Sequence, residues 1–208
     1  MSEAMPHTTR TATTADIEPA VATLTAAFAD YPFTRHIIAS DDHLGRLARS
    51  NRLFLSDIGL AHGQVWVAAA EGGDPDSVDA VAVWTTPASS DGIAEAFAGI
   101  AGELADIAGD RVAIAGATEA ALQPHRPTTP AWFLGSVGVR PETQGRGLGK
   151  AVIEPGLLAA DEQRATAYLE TSLPANVMLY RKLGFEVTAE VKLPEGGPLT
   201  WAMYRDPR

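Results

Sequence analysis

The segment Val139–Val152, VRPETQGRGLGKAV, sets glycine at three alternate positions, Gly145, Gly147 and Gly149. Arg146 lies between the first two, and Lys150 follows the third. An apolar run that reads as a strand, AWFLGSVGV, precedes the turn, and a run with helical spacing follows it from about Gly147 to Glu162. A strand, a glycine-rich turn and a helix in that order predict an anion site. Backbone N–H groups of the turn and of the first helical turn converge on one place. The helix dipole adds roughly half a positive charge there. Glycine lets the chain turn sharply and approach the anion closely. Arg146 and Lys150 supply further charge toward phosphates.

The spacing excludes two phosphate-binding patterns. A Walker A loop needs glycine five places before Gly149, where Gln144 stands, and Ser or Thr after Lys150, where Ala151 stands. The dinucleotide fingerprint G-x-G-x-x-G fails because its third glycine comes one residue early. That fingerprint also opens a parallel sheet, whereas this turn lies two-thirds of the way along the chain. What stands here is Q-x-x-G-x-G at Gln144, Gly147 and Gly149.

The rest of the chain predicts one domain, residues 1–208, with alternating strands and helices. Thr8–Thr13 reads as a first strand, and Asp16 as the N-cap of a helix bearing Ile17, Val21, Leu24 and Phe28. DYPF (Asp30–Phe33) ends that helix. A second helix begins near Asp41 or Asp42 and carries Leu44, Leu47, Phe54, Leu55 and Ile58 on one face. Gln64–Ala70 and Val78–Thr86 read as a hairpin around the turn Glu71–Ser77. Helical spacing returns over Ile93–Ala108 and to about Leu122, and QPHRPTTP then breaks the pattern. Beyond the glycine turn, Pro155 is expected to kink its helix or shift its register. Ala165–Ser172 follows as a strand and Ala175–Leu183 as a short helix stopped by Gly184. Phe185–Leu193 and Leu199–Tyr204 alternate as a strand pair, with Phe185, Val187, Ala189, Val191 and Leu193 pointing one way. The middle strands, joined through helices, are expected to be parallel neighbours. The fold class is α/β (α+β), a mixed, mostly antiparallel sheet with helices on both faces.

Composition removes several function classes. The chain has no cysteine, so it has no disulfide scaffold, thiolate nucleophile or cysteine-based zinc site. A net charge of −10 without a basic block makes a poor nucleic-acid binder. No run is apolar and long enough for a membrane span, and MSEAMPHTTRTATTAD has no apolar core for a secretory signal. A cytoplasmic protein is expected, monomer or homodimer. His7, His36, His43, His62 and His125 are scattered and show no metal-ligand spacing. His7, His43 and His62 read as peripheral and His125 as a loop residue, while His36 is placed where it can line a substrate side.

A second constellation follows in LETSLPANVMLYRKLGFEV (Leu169–Val187), where a strand bearing Glu170 leads to a helix with Asn176 and Tyr180 on one face. With Q-x-x-G-x-G, the N-x-x-x-Y…G-F pattern resembles the GNAT superfamily of acyl-CoA-dependent N-acetyltransferases. That resemblance implies the GNAT fold with a bulged central strand. It implies that Gln144, Gly145, Arg146, Gly147, Leu148, Gly149 and Lys150 hold the pyrophosphate of acetyl-CoA. Asn176 would bond the pantetheine arm and Tyr180 would sit by the thioester sulfur. Val137, Gly138 and Val139 would lie along the cofactor, with a Val137 N–H facing the thioester oxygen. A protonated tyrosine suits the general acid for a departing thiolate. Glu170 is the candidate base, directly or through water, with amine binding as its other reading.

Segments over nearly the whole chain, among them AVAVWTTP, LQPHRP and LETSLPANVMLY, resemble the puromycin-acetylating branch of that family. This implies transfer of acetyl to a small primary amine, puromycin leading, as antibiotic resistance. An aminoglycoside, a polyamine or a protein N-terminus are the rival acceptors, and a non-catalytic acyl-CoA-binding module is the rival class. Phe28, Tyr31, Phe33 and Trp84 are candidate aromatic walls for the acceptor, alongside Glu170.

Overall fold

Val65, Val67, Val81 and Val83 alternate with Trp66, Ala68, Ala82 and Trp84 along two paired strands, and both sets are buried, on opposite sides of one sheet. A strand apolar on both sides must be covered twice, and this requirement organises the chain. The computed structural model describes residues 7–70 and 77–208. Most of the turn read at Glu71–Ser77, and the first residues of the N-terminal segment, lie outside them.

The strands are β1 (His7–Thr11), β2 (Gly63–Ala70), β3 (Ala80–Thr85), β4 (Trp132–Val139), β5 (Ala167–Thr171), β6 (Glu186–Lys192) and β7 (Leu199–Arg205). They form one sheet in the order β1-β2-β3-β4-β5-β7-β6. Only the β4–β5 pair is parallel among the described residues. The expectation of several parallel neighbours is therefore corrected. The helices between β3 and β4 return the chain antiparallel, and β7 inserts between β5 and β6.

The helices are α1 (Ile17–Phe28), α2 (Pro32–Ile37), α3 (His43–Leu53), α4 (Ser90–Ala108), α5 (Val112–Leu122), α6 (Leu148–Glu162) and α7 (Pro174–Lys182). The last turns of α3 continue as a π-helical stretch, Phe54–Leu60. On one face of the sheet, Leu148, Val152, Ile153, Leu157 and Ala160 of α6 pack on Trp66, Trp84 and Trp132. On the other, Ala20, Val21 and Leu24 of α1 and Leu55 pack on the valines of β2 and β3. A third cluster joins α3 and α4 through Leu47, Ile58, Ile100 and Ile107.

Four local readings change. Asp16 stands at the N-cap position of α1, as expected, but its side chain makes no cap bond there; it closes a preceding 3-10 turn instead, accepting the Thr13 N–H at 2.7 Å and pairing with Arg10 at 2.6 Å. Those donors hold its carboxyl down at about 2, the Arg10 hydrogen bond foremost. Pro32 ends one helix and begins another, because Tyr31 is extended (φ −68, ψ 127) and proline is pre-set for a first helical turn. Leu44, read as part of the buried face, is 53% exposed. The side chains of β6 do not all point one way. Val187 lies opposite Met203 and Ala189 opposite Ala202, so Thr188 is an extra residue in the strand. Phe185 and Val187 join the α6-side core, whereas Ala189, Val191 and Leu193 join Leu122 and Phe33 on the other side.

Helix α6 runs unbroken through Pro155, and Gly156 beside it meets the sheet at Trp84. A Cβ at Gly156 would lie 2.5 Å from Trp84 Nε1 and Cε2, and Trp84 is 0% exposed. Gly156→Ala should therefore destabilise the protein by about 1–3 kcal/mol from overpacking, despite the helix propensity gained. Equilibrium urea unfolding would check this; an unchanged or raised midpoint would show that the indole has room to move.

Candidate active site

Strand β4 breaks its own regularity at one residue. Val83 of β3 lies opposite Ser136 and Trp84 opposite Leu134, so Gly135 is the extra residue of a β-bulge. On its other side, β4 pairs with β5 only from Trp132↔Ala167 to Leu134↔Leu169. From the bulge onward the two strands carry no ladder between them, which opens a slot in the sheet. The Arg140 N–H donates to the Asp79 carbonyl at 2.7 Å. Antiparallel pairing alternates, so Gly138 and Ser136 also turn their peptide groups toward β3. The amides of Val137 and Val139 are thereby directed away from β3, toward the slot. Gly138 itself packs against α1, where a Cβ would lie 2.9 Å from Leu24 Cδ2. It is a close-approach glycine whose peptide faces β3, unlike its neighbours.

The glycine turn follows directly. A 3-10 turn, Pro141–Thr143, leads to Gly145 (φ +77) and Gly147 (φ +88), and α6 begins at Leu148. Both conformations are left-handed and favour glycine. A Cβ on either would meet nothing within 4 Å, so the surface at these two residues is open. Gly149 lies closer in, where a Cβ would touch Val139 Cγ2 at 3.4 Å. Gln144 Nε2 donates to the Val139 carbonyl at 3.2 Å, tying the turn to the end of β4. Leu148 is buried and anchors the first helical turn, while Arg146 and Lys150 are exposed beside it. The unpaired N–H groups of a fifteen-residue helix thus open where the slot begins. Open glycines, free N–H groups and two cations fit a diphosphate.

Across the slot, α7 presents Asn176 and Tyr180. The helix ends in a Schellman motif: Gly184 (φ +95) donates to the Arg181 carbonyl at 3.0 Å and Phe185 to that of Tyr180 at 3.0 Å. The rings of Tyr180 and Phe185 meet edge to face at 5.9 Å. Tyr180 is 7% exposed. Burial pushes its hydroxyl up, with Tyr31 adding to the shift, so it stays protonated. Asn176 Nδ2 donates to Thr171 Oγ1 at 3.1 Å.

The cleft is lined by Phe28, Tyr31, Phe33, Phe133, the bulge residues Gly135–Val137, Glu170 and the α7 side chains Asn176 and Tyr180. The structure thus brings together Tyr31, Phe33, Val137, Glu170, Asn176 and Tyr180. Trp84 is not among them: it is fully buried on the α6 side of the sheet, edge to face with Trp132 at 5.9 Å. Its alternation along β3 decides this, since Val83 rather than Trp84 faces α1. His36 is also elsewhere, buried against the β6–β7 connection at Gly197, and His43 is buried rather than peripheral. Burial lowers the pKa of both, with Arg111 adding at His36 and Arg35 at His43.

Two features had no prior sign. Tyr31 is a joint as well as a wall, its hydroxyl accepting the Ser172 N–H at 2.8 Å and lying 3.2 Å from Thr171 Oγ1. Glu170 is gripped from behind. Arg126 donates from Nε to Oε1 at 2.8 Å and from Nη2 to Oε2 at 3.2 Å, and the Tyr168 hydroxyl donates at 2.7 Å. Arg126 stands among prolines in sequence, forty-four residues from its partner, and no local spacing marks it.

Residues 61–187 match the family model of the acetyltransferase (GNAT) domain. The chain belongs to this family and is a GNAT-type acetyltransferase, a domain that uses acetyl-CoA. The structure of histone acetyltransferase HPA2 and related acetyltransferase from Corynebacterium glutamicum is similar over 98% of each chain, with 25% identity and a TM-score of 0.76. A Drosophila melanogaster polyamine N-acetyltransferase shares the fold over 97% of this chain and 100% of its own, at 17% identity and a TM-score of 0.57. An agmatine N-acetyltransferase does so over the same shares, at 18% identity and a TM-score of 0.57. No helix among the described residues is long and apolar enough to cross a membrane.

Removing the Tyr31 hydroxyl leaves the Ser172 N–H without its partner. Tyr31→Phe should cost about 1–3 kcal/mol, the range for a buried donor left unsatisfied. Chemical denaturation reads this directly, and a variant as stable as the parent would show that the joint carries no load.

Proposed function

We propose that the chain, residues 1–208 acting as one domain, transfers acetyl from acetyl-CoA to the primary amine of a small aromatic acceptor, with puromycin the leading candidate. One observation carries the reaction: a buried, protonated tyrosine on α7 and the inward-facing amide of Val137 border the same slot, beside an open diphosphate-type turn. The thioester supplies the acetyl group. Gln144, Gly145, Arg146, Gly147, Leu148, Gly149 and Lys150 hold the pyrophosphate through backbone N–H groups and two cations. Val139 and Asn176 hold the pantetheine arm, with Gly138 setting the backbone between the two valine amides.

The amine nitrogen attacks the thioester carbonyl, a C–N bond forms, and the C–S bond breaks. The Val137 N–H donates to the oxygen as it gains charge. Tyr180 donates its proton to the departing sulfur and regains one through solvent, while the nitrogen bound to the acetyl carbon sheds its second proton to water. Burial raises the hydroxyl, and the same dry cleft raises the thiol, which narrows the gap between the two. The ammonium of the acceptor must lose a proton first, and Glu170 takes it through a water or holds the amine while solvent does so. Its bonds to Arg126 and Tyr168 favour the water relay and the holding role over direct abstraction.

The acceptor rests on two supports. One is the resemblance of segments across the chain to puromycin N-acetyltransferase. The other is the lining, since Phe28, Tyr31, Phe33 and Phe133 offer aromatic faces to an aromatic nucleoside conjugate. A polyamine acceptor is the second reading, favoured by the carboxylate of Glu170 in the cleft wall.

Free-thiol release from acetyl-CoA, with puromycin beside a panel of amines, tests the proposal. Release with puromycin and little with the others is expected; release with another amine alone would replace the acceptor. Tyr180→Phe should lower kcat by about 100-fold or more, in the range of general-acid catalysis, and leave the Kd for acetyl-CoA within about twofold. Unchanged turnover would remove the tyrosine from its role. Gly147→Trp should weaken acetyl-CoA binding at least about tenfold by calorimetry, because it fills an anion site that needs close backbone approach. Normal binding by the folded variant would displace the cofactor from this turn.

A further inference from the structure

Of the described residues that line the cleft, Glu170 alone carries a formal charge. Its side chain is 11% exposed, and the guanidinium that holds it, Arg126, is not part of the lining. Arg126 comes from the connection after α5 and reaches Glu170 through two hydrogen bonds, at 2.8 and 3.2 Å. Its Nη2 also donates to Glu119 Oε2 at 3.0 Å, and its Cζ lies 5.9 Å from the centre of the Phe133 ring, itself part of the cleft wall. Burial works against the charge of Arg126, yet the hydrogen bonds and field of Glu170 and Glu119 push its pKa up, so the cation is permanent. A carboxylate offers about four lone-pair sites, and Arg126 and Tyr168 occupy three of those on Glu170. The second carboxylate of the cluster, Glu119, is 60% exposed and faces water.

We infer that Arg126 sets the charge selectivity of the acceptor cleft: by neutralising Glu170 from behind, it makes the cleft accept a monoamine with an aromatic body and reject a polyamine. A single ammonium can use the one site left on Glu170 while its aromatic body replaces water on the phenyl and phenol faces. A second ammonium on a polyamine finds no uncompensated carboxylate on the wall and loses hydration without return. Arg126 touches no reacting atom and acts through Glu170, so it is a specificity-determining residue. The inference rests on the amine-acceptor reading above and names the substrate class of that site.

The test is the ratio of kcat/KM for puromycin to that for spermidine, followed by thiol release, in the parent and three variants. The parent should favour puromycin. Arg126→Gln unmasks the carboxylate and should move the ratio toward spermidine by about tenfold. Arg126→Lys keeps the charge but loses the paired donors, and its shift should fall between the parent and Arg126→Gln. Glu170→Gln removes the one charge from the cleft wall, leaves Arg126 paired with Glu119 alone, and should move the ratio further toward puromycin, whatever happens to the absolute rates. Thermal melting establishes that each variant is folded. A ratio unmoved in folded Arg126→Gln, an Arg126→Lys variant that shifts as far as Arg126→Gln, or a parent that prefers spermidine would each overturn the inference. If Arg126→Gln does not fold, the direction of the Glu170→Gln shift decides. A parent that turns over neither amine, nor any other in the panel, would sink the amine-acceptor reading itself rather than the role of Arg126 alone.

Discussion

Everything in the cleft depends on two neighbouring strands that stop touching. β4 and β5 share a parallel ladder for three residue pairs and then part at Leu134 and Leu169. The extra residue at Gly135 bends β4 and reverses which of its side chains face α6. Beyond the bulge, Val137 and Val139 keep their side chains in the α6-side packing while their amides look into the gap. A sheet interior normally spends every such N–H on a neighbouring strand. Here two are available for something other than protein, and the anion-type turn begins two residues past the end of β4. The cleft is also reached from both faces of the sheet: α7 stands on the side of α6, while Phe28, Tyr31 and Phe133 lie on the opposite side.

The precision of Tyr180 comes from the backbone that stops its helix. Gly184 takes a left-handed turn, Phe185 donates back to the Tyr180 carbonyl, and the two rings seat against each other. Such a stop fixes the last turn of a short helix that would otherwise fray. Behind α7, Asn176 is joined through Thr171 to Tyr31 by contacts of 3.1 and 3.2 Å. Tyr31, at the corner of α1 and α2, thus meets Thr171 across 140 positions of chain and, through it, the helix that carries the tyrosine.

The sequence was most legible where a pattern is local. The glycine turn, the helix it opens, the Asn176–Tyr180 pair and the Gly184 stop are all set by neighbours within a few residues, and their physics is that of helix ends. The fold class followed from the order of alternating and helical runs. What escaped was set by register. Trp84 reads as an aromatic wall until pairing shows that Val83, not Trp84, turns toward α1. A bulged central strand was implied by the family resemblance, but its place at Gly135 and the amides it frees depend on the partner strand. Arg126 was invisible for a different reason: a loop arginine gains meaning only from the carboxylate it meets, and that meeting is made by the sheet. Pro32 shows a third kind of miss, since a residue that forbids continuation of one helix is equally suited to begin the next.

The bulge in β6 has a consequence of its own. On β7 the step from Met203 to Ala202 is a single residue, while on β6 the matching step from Val187 to Ala189 is two. The strand therefore holds one residue in reserve. Shortened by one at Thr188, it would keep its pairing, leave Phe185 and Val187 in one core and Ala189, Val191 and Leu193 in the other, and only straighten. Tolerance of a length change is ordinarily a property of loops; in this protein it is also built into the edge of the sheet.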